Sequence, residues 1–185
     1  MPQISPLFGS DAKVKIMRLF IFNPQTAFSP KDVSKRAKER PDVARREIRN
    51  LSKAGLIKRR AKGLSLNASY PYLDALRDFL IDATPITTRE IIKKINKAGS
   101  IKLILISGVF KHDPESRVDF LVVGDHLKQG TLVSAISSIE AELGKELRYA
   151  AFETPDFKYR LSIYDKLIRD ILDYPHEKIL NKLGI

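Results

Sequence analysis

The chain contains no cysteine. That excludes a disulfide framework, thiolate nucleophiles and the cysteine-based zinc sites, and it fits a reducing compartment. Histidine is sparse as well. His112, His126 and His176 fall on separate predicted elements, so a structural zinc site is not expected. No apolar run outlasts Leu103–Ile106, far short of the ~20 residues a membrane-spanning helix needs. Met1–Ser10 has no basic start leading into an apolar stretch, so no signal peptide is read there. No phosphate-cradling Gly-x-x-x-x-Gly-Lys pattern occurs, and no Ser/His/Asp set has a recognisable spacing. Internal repeats and low-complexity tracts are missing too. These absences leave a cytoplasmic protein with no cofactor and no metal as the expectation.

What is present starts with 185 residues, 43% of them hydrophobic, enough for one medium or two small cores. The net charge of +11 is unevenly placed. Residues 1–69 hold 16 Lys and Arg against 5 Asp and Glu, while residues 70–185 hold 17 of each sign. All of the excess lies in the first third. A cationic domain of this kind is the electrostatic footprint of a polyanionic partner. Nonspecific RNA binding, or a basic surface with no partner, would give the same count.

The basic third reads as three helices and a hairpin. Ser10 is placed to cap a helix from Asp11 with Val14, Ile16, Met17, Phe20 and Ile21 inward, and Asn23-Pro24 stops it. Ser29 caps a second helix with Pro30 in its first turn and Val33 and Ala37 buried. A third helix opens at Pro41 and runs to about Ala54, where Gly55 suits the left-handed residue that ends it. Ala44, Ile48 and Leu51 form its apolar stripe, and Asp42, Arg45, Arg46, Arg49 and Lys53 occupy the other side. Leu56–Ala61 then reads as a strand, turned at Lys62-Gly63 and returning over Leu64–Asn67.

Tyr70–Asp82 is predicted as a joining helix started by Pro71, with Pro85 at the boundary. Beyond it come a helix over Thr88–Ala98 closed by Gly99, buried strands at Ile101–Ser107 and Val118–Val123, and a helix over Thr131–Leu143. A strand at Leu147–Glu153 follows, then mostly helix over Phe157–Leu172 and a short terminal helix. The expected class is α+β. Its domains are 1–69, a linker helix over 70–85, and a small α/β domain with a mixed sheet over 86–185.

The major groove of duplex DNA admits one α-helix. A reading helix needs a buried stripe to anchor it and a polar stripe to present, and Pro41–Ala54 has both. Arg45, Arg46 and Arg49 suit base edges, because arginine bridges guanine O6 and N7 with two parallel hydrogen bonds. Lys58, Arg59, Arg60 and Lys62 on the hairpin would meet phosphates or the adjacent minor groove. The segment VARREIRNLSKAGLIKRR resembles the recognition helix and wing of winged helix-turn-helix transcription regulators, and the resemblance covers roughly residues 10–69. It implies duplex DNA as partner.

Farther on, a strand ends in Ser107-Gly108, a polar loop follows, and a second strand carries Arg117-Val118-Asp119. This is similar to the minimal nucleotidyltransferase domain of the polymerase-β-like superfamily, over about residues 86–175. There a glycine precedes a serine or second glycine, and an Asp-x-Asp pair holds divalent metal. Gly108 and Asp119 match that pattern. Val109 departs from it, and Arg117 stands where the first aspartate belongs, putting a fixed cation beside the metal position. Glu153 is the candidate third carboxylate, though Arg148 shares its strand. The resemblance therefore implies a nucleotidyltransferase-like fold without transferase activity. Asp119 itself reads as half of an ion pair with Arg117 or a nearby lysine.

Together these readings give a non-enzymatic, sequence-specific transcription regulator that binds double-stranded DNA as a homodimer. Its second domain would serve dimerisation, ligand binding or partner binding. An active nucleotidyltransferase that holds nucleic acid on its basic domain is the alternative, and an antitoxin-like partner-binding module is a third. Three smaller features carry less. Phe8-Gly9-Ser10 mimics a nucleotidyltransferase Gly-Ser but reads as a cap. His112, Asp113 and Glu115 share one loop that reads as solvated. Tyr149, Phe152, Phe157, Tyr159 and Tyr164 read as core aromatics rather than base-stacking platforms.

Overall fold

The computed structural model describes residues 4–83, 85–111 and 116–185. The protein is mixed α+β and divides into two compact units, Met1–Thr87 with Ser137–Lys145, and Thr88–Ile136 with Glu146–Ile185. His112, Asp113 and Glu115 lie outside the described residues.

In the first unit, α1 (Ser5–Phe8) precedes three longer helices, α2 (Asp11–Ile21), α3 (Pro30–Ala37) and α4 (Pro41–Lys53). Each begins as its local chemistry dictates. Ser10 Oγ accepts the Lys13 N–H at 3.1 Å. Ser29 and Asp32 form a reciprocal capping box. Pro41 supplies a first helical residue whose missing N–H would have had no partner anyway. The α3–α4 turn passes through Lys38 in the left-handed region (φ 52°), and Gly55 follows α4 at φ 84°. Ile16, Phe20, Val33, Ala37, Ala44, Ile48 and Leu51 are buried in one core, so each helix turns its apolar stripe to the others. Burial of a side chain the size of Phe20 contributes ~1.5–3 kcal/mol.

The hairpin of β1 (Ile57–Arg60) and β2 (Gly63–Leu66) is antiparallel, with Ile57 opposite Leu66 and Arg60 opposite Gly63. The reversal therefore falls on Ala61-Lys62, one residue earlier than predicted. Gly63 has φ 128°, and a Cβ on it would lie 2.8 Å from the Phe28 carbonyl oxygen. Phe28 is the reason. Its N–H and carbonyl exchange hydrogen bonds with Leu64 at 2.8 and 2.9 Å, making a one-residue third strand. Its ring meets Phe20 edge-on, with centroids 5.4 Å apart.

The next helix, α5 (Leu73–Asp82), starts two residues after Pro71, which lies in the preceding turn. It buries Leu73 and Leu80. The carbonyls of Leu80 and of Ala83, the residue that caps it, accept from the guanidinium of Arg18 on α2. Arg18 is almost wholly buried. Burial pushes its pKa down to about 10 despite the nearby Glu142 carboxylate.

The second unit is built on a four-stranded sheet of β3 (Ser100–Ile106), β4 (Phe120–Asp125), β5 (Tyr149–Glu153) and β6 (Glu177–Asn181), in the order β5-β4-β3-β6. The β3–β4 and β3–β6 pairs are antiparallel and β4–β5 is parallel. Parallel neighbours need a long crossover, and α7 (Gln129–Leu143) lies in it. From Ser137 onward α7 belongs to the first unit. The helix α6 (Thr88–Ile95) continues as a tighter 3-10 turn through Ala98. Leu103, Leu105, Leu121 and Val123 pack with Phe157, Ile168 and Ile171 of the last two helices. Ile104 and Val122, on the other face, are fully buried as well. Strands covered on both sides need the unbroken apolar runs seen here.

Two expectations fail in the C-terminal third, and a third is refined. The mostly helical stretch over Phe157–Leu172 is two helices, α8 (Thr154–Ser162) and α9 (Lys166–Asp173). Tyr164 takes a left-handed conformation (φ 53°), and Asp165 caps α9 by accepting the N–H groups of Leu167 and Ile168. The predicted terminal helix is strand β6, because the open edge of β3 offers backbone partners that outweigh a weak local helical preference. The aromatic group is not uniformly core. Phe157 is fully buried, but Tyr159 and Tyr164 are exposed.

Candidate nucleic-acid interface

Eight of the 16 Lys and Arg of residues 1–69 sit on two adjoining elements, α4 and the β1–β2 hairpin. On α4, Ala44, Ile48 and Leu51 are buried, as their spacing predicts. Asp42, Arg45, Arg46, Arg49 and Lys53 are all exposed. Among the described residues, Arg45, Arg49 and Lys53 form no ion pair. Asp42 is taken by Arg40, the residue before the helix, whose Nε lies 3.2 Å from its carboxylate. On the hairpin, alternation puts Lys58 and Arg60 on the face away from Ile57, Leu64 and Leu66. Arg59 points to the other face but is exposed near the tip, and Lys62 sits in the turn.

Sequence reasoning missed Glu47, which is buried on α4. Arg46 Nε donates to its Oε1 at 3.1 Å, Asn50 Nδ2 donates to Oε2 at 3.2 Å, and Lys13 Nζ of α2 lies 3.9 Å from Oε2. The signal was available, because Ala44, Glu47 and Leu51 stand at i, i+3 and i+7, on the edge of the apolar stripe. Burial alone would raise the Glu47 pKa. The hydrogen bonds from Asn50 and Arg46 and the charges of Lys13 and Arg46 outweigh it and hold the carboxyl below its ordinary value of 4.5. For an acid whose folded pKa is depressed, the stabilisation is complete above the unfolded value and lost as pH falls through the folded one. Acid titration followed by thermal melting is therefore expected to cost the parent more stability below about pH 4.5 than it costs Glu47→Gln. Equal acid limbs would show that Glu47 contributes nothing.

Behind α4, Lys15 of α2 contacts Glu39 at 3.2 Å and Glu142 at 3.3 Å. Burial opposes its charge, but Glu142 and Glu39 prevail and its pKa is raised. Asn23 Nδ2 donates to the Gly144 carbonyl at 2.7 Å. These contacts pin α2, the helix on which α4 rests.

In the second unit, Ser107, Gly108, Arg117 and Asp119 gather where β3 ends and β4 begins. Asp119 is fully buried and both its oxygens are engaged. Oδ1 accepts the Val109 N–H at 2.9 Å, and Oδ2 accepts the Arg148 N–H at 2.8 Å. The Arg148 guanidinium spans both oxygens at 3.2 Å. The expected partner, Arg117, instead pairs with Asp170 of α9 at 2.8 Å. Cross-strand placement is the reason, since Arg148, just before β5, lies directly beside Asp119, whose N–H donates to its carbonyl. Gly108 (φ 50°) serves this pair too, because a Cβ there would come within 2.1 Å of Asp119 Oδ1. Ser107 Oγ is spent on Ser116 Oγ at 2.7 Å and the Pro175 carbonyl at 3.2 Å. Glu153 accepts the backbone N–H groups of His126 and Leu127 at 3.0 and 2.8 Å. Among the described residues no group of three or more His, Asp or Glu is placed to hold a metal ion. No helix among them is long and apolar enough to cross a membrane.

No known protein family, curated protein or solved structure matches this chain.

Proposed function

We propose that the protein is a sequence-specific regulator of transcription that binds duplex DNA through α4 and the β1–β2 hairpin. One observation carries this reading: Arg45, Arg49 and Lys53 are exposed and unpaired among the described residues on a helix whose opposite face is locked into a three-helix core. The order helix, one-residue strand at Phe28, helix, helix, hairpin supports a winged helix-turn-helix and with it the same reading. A helix held in this way enters the major groove as a rigid body. Lys58 and Arg60 on the outward hairpin face then meet the phosphates that flank it. A homodimer would set two such helices one turn of duplex apart on a palindromic site.

For the second unit we propose a nucleotidyltransferase-like fold used in dimerisation or in binding an effector or partner. Against a transferase stands the state of Asp119, whose oxygens already accept two backbone N–H groups and a guanidinium. A cation there would have to displace Arg148.

Selection of bound duplexes from a random pool, at two salt concentrations, tests the regulator reading. A defined consensus is expected, and affinity should fall by about 0.9 log units per log unit of salt for each phosphate neutralised. Lys58→Ala should weaken all sequences alike and reduce the salt slope by about that same increment. Equal binding of every duplex and of single-stranded RNA would defeat the proposal.

A further inference from the structure

Arg46 shares an exposed row of α4 with Asp42, Arg49 and Lys53, since these positions are three or four apart. Its guanidinium leaves that row. Nε and Nη2 both close on Glu47 Oε1, at 3.1 and 3.0 Å. The Glu47 side chain is only 4% exposed. Its other oxygen receives Asn50 Nδ2 at 3.2 Å and faces Lys13 Nζ at the longer distance of 3.9 Å. A carboxylate buried this deeply is costly unless its partners stay in place. Arg46 is the partner that makes two close contacts, and it comes from the helix surface. For Arg46 to reach a base it would have to abandon Glu47, and the duplex would have to compensate for a stripped buried charge. Arg45 and Arg49 carry no such debt.

Building on the DNA-reading role proposed above, we infer that Glu47 withholds Arg46 from the duplex, so that Arg46 clamps its own helix and base reading falls to Arg45 and Arg49. Glu47 is then a positioning residue that sets specificity without touching DNA. Because Asn50 is tied to the same carboxylate, one edge of the reading helix is committed to holding itself together. The opposite edge, with Arg45, is left to the groove.

The full-length protein, Arg46→Ala, Glu47→Gln and the double variant are compared on the selected consensus duplex and on single-base variants of it, at several salt concentrations. Arg46→Ala is expected to change affinity less than threefold, with consensus and salt slope kept. Glu47→Gln frees Arg46, so the salt slope should steepen by about 0.9 and the preference at one base position should shift. The double variant should return to the parent slope, a reversal that loss of packing alone would not produce. A larger loss for Arg46→Ala, or loss of a base preference, overturns the inference. So does a folded Glu47→Gln whose slope is unchanged. If Glu47→Gln does not fold, the Arg46→Ala result decides alone. Failure of the parent to select any duplex is a separate outcome that overturns the DNA-reading role and this inference with it.

Discussion

Arg49→Ala is expected to weaken binding of the selected duplex by roughly tenfold to a hundredfold, the loss of one bidentate contact worth ~1–3 kcal/mol. The reason is positional. Arg49 lies mid-helix, one turn from Arg45, opposite Ala44, Ile48 and Leu51, which are buried. It forms no ion pair among the described residues, so none of them competes for its guanidinium. The loss should be specific. The same substitution should cost little on unrelated duplexes, where Arg49 has only phosphate to meet, and selection with the variant should yield a consensus relaxed at one position. Arg45→Ala should behave alike at a neighbouring position. Titration of parent and variant against consensus and scrambled duplexes at one salt concentration checks this. Equal losses on both would reduce Arg49 to a phosphate contact, and unchanged affinity on both would remove α4 from the interface.

Asp119→Ala is expected to destabilise the second unit by about 3–5 kcal/mol, the usual cost of breaking a buried pair by removing one partner. The lower end is the better guide, because the Arg148 side chain is 52% exposed and can turn to water while Asp119 is 1% exposed. What cannot turn away are the N–H groups of Val109 and Arg148, left facing a void. Each unmet buried donor costs ~1–3 kcal/mol. Chemical denaturation followed by circular dichroism, with guanidinium midpoints for parent and variant, measures the effect. A catalytic carboxylate behaves in the opposite way, since its removal spares stability and abolishes label transfer from nucleoside triphosphates. Asp119→Ala with parent stability would reopen the transferase reading.

Much of this was legible beforehand, and the particular residues explain why. Ser10, Ser29, Pro41 and Gly55 act through their own backbone neighbourhoods, so the ends of the first helices were readable without a partner in view. The stripe of Ala44, Ile48 and Leu51 follows from helical spacing alone. Glu47 escaped because a charged residue on the edge of an apolar stripe is ordinarily solvated, and only Lys13, Arg46 and Asn50 together keep it buried. Strand β6 escaped because a short mixed segment takes its structure from whichever edge it meets. Phe28 could not be seen as a strand at all, being one residue long and defined wholly by its bonds to Leu64.

From the order of residues alone came the concentration of positive charge in the first third, the basic face of α4 and the helix boundaries around it. All three depend on composition and on spacings of a few residues. Which charges are buried, and with which partners, came from tertiary packing. Asp119 belongs to Arg148 rather than Arg117 because β4 and β5 lie side by side, and Glu47, the sequence neighbour of Arg46, is buried with Lys13 of α2 facing its carboxylate. Charge is a property of a residue, but its availability is a property of the neighbours the fold brings within 3 or 4 Å.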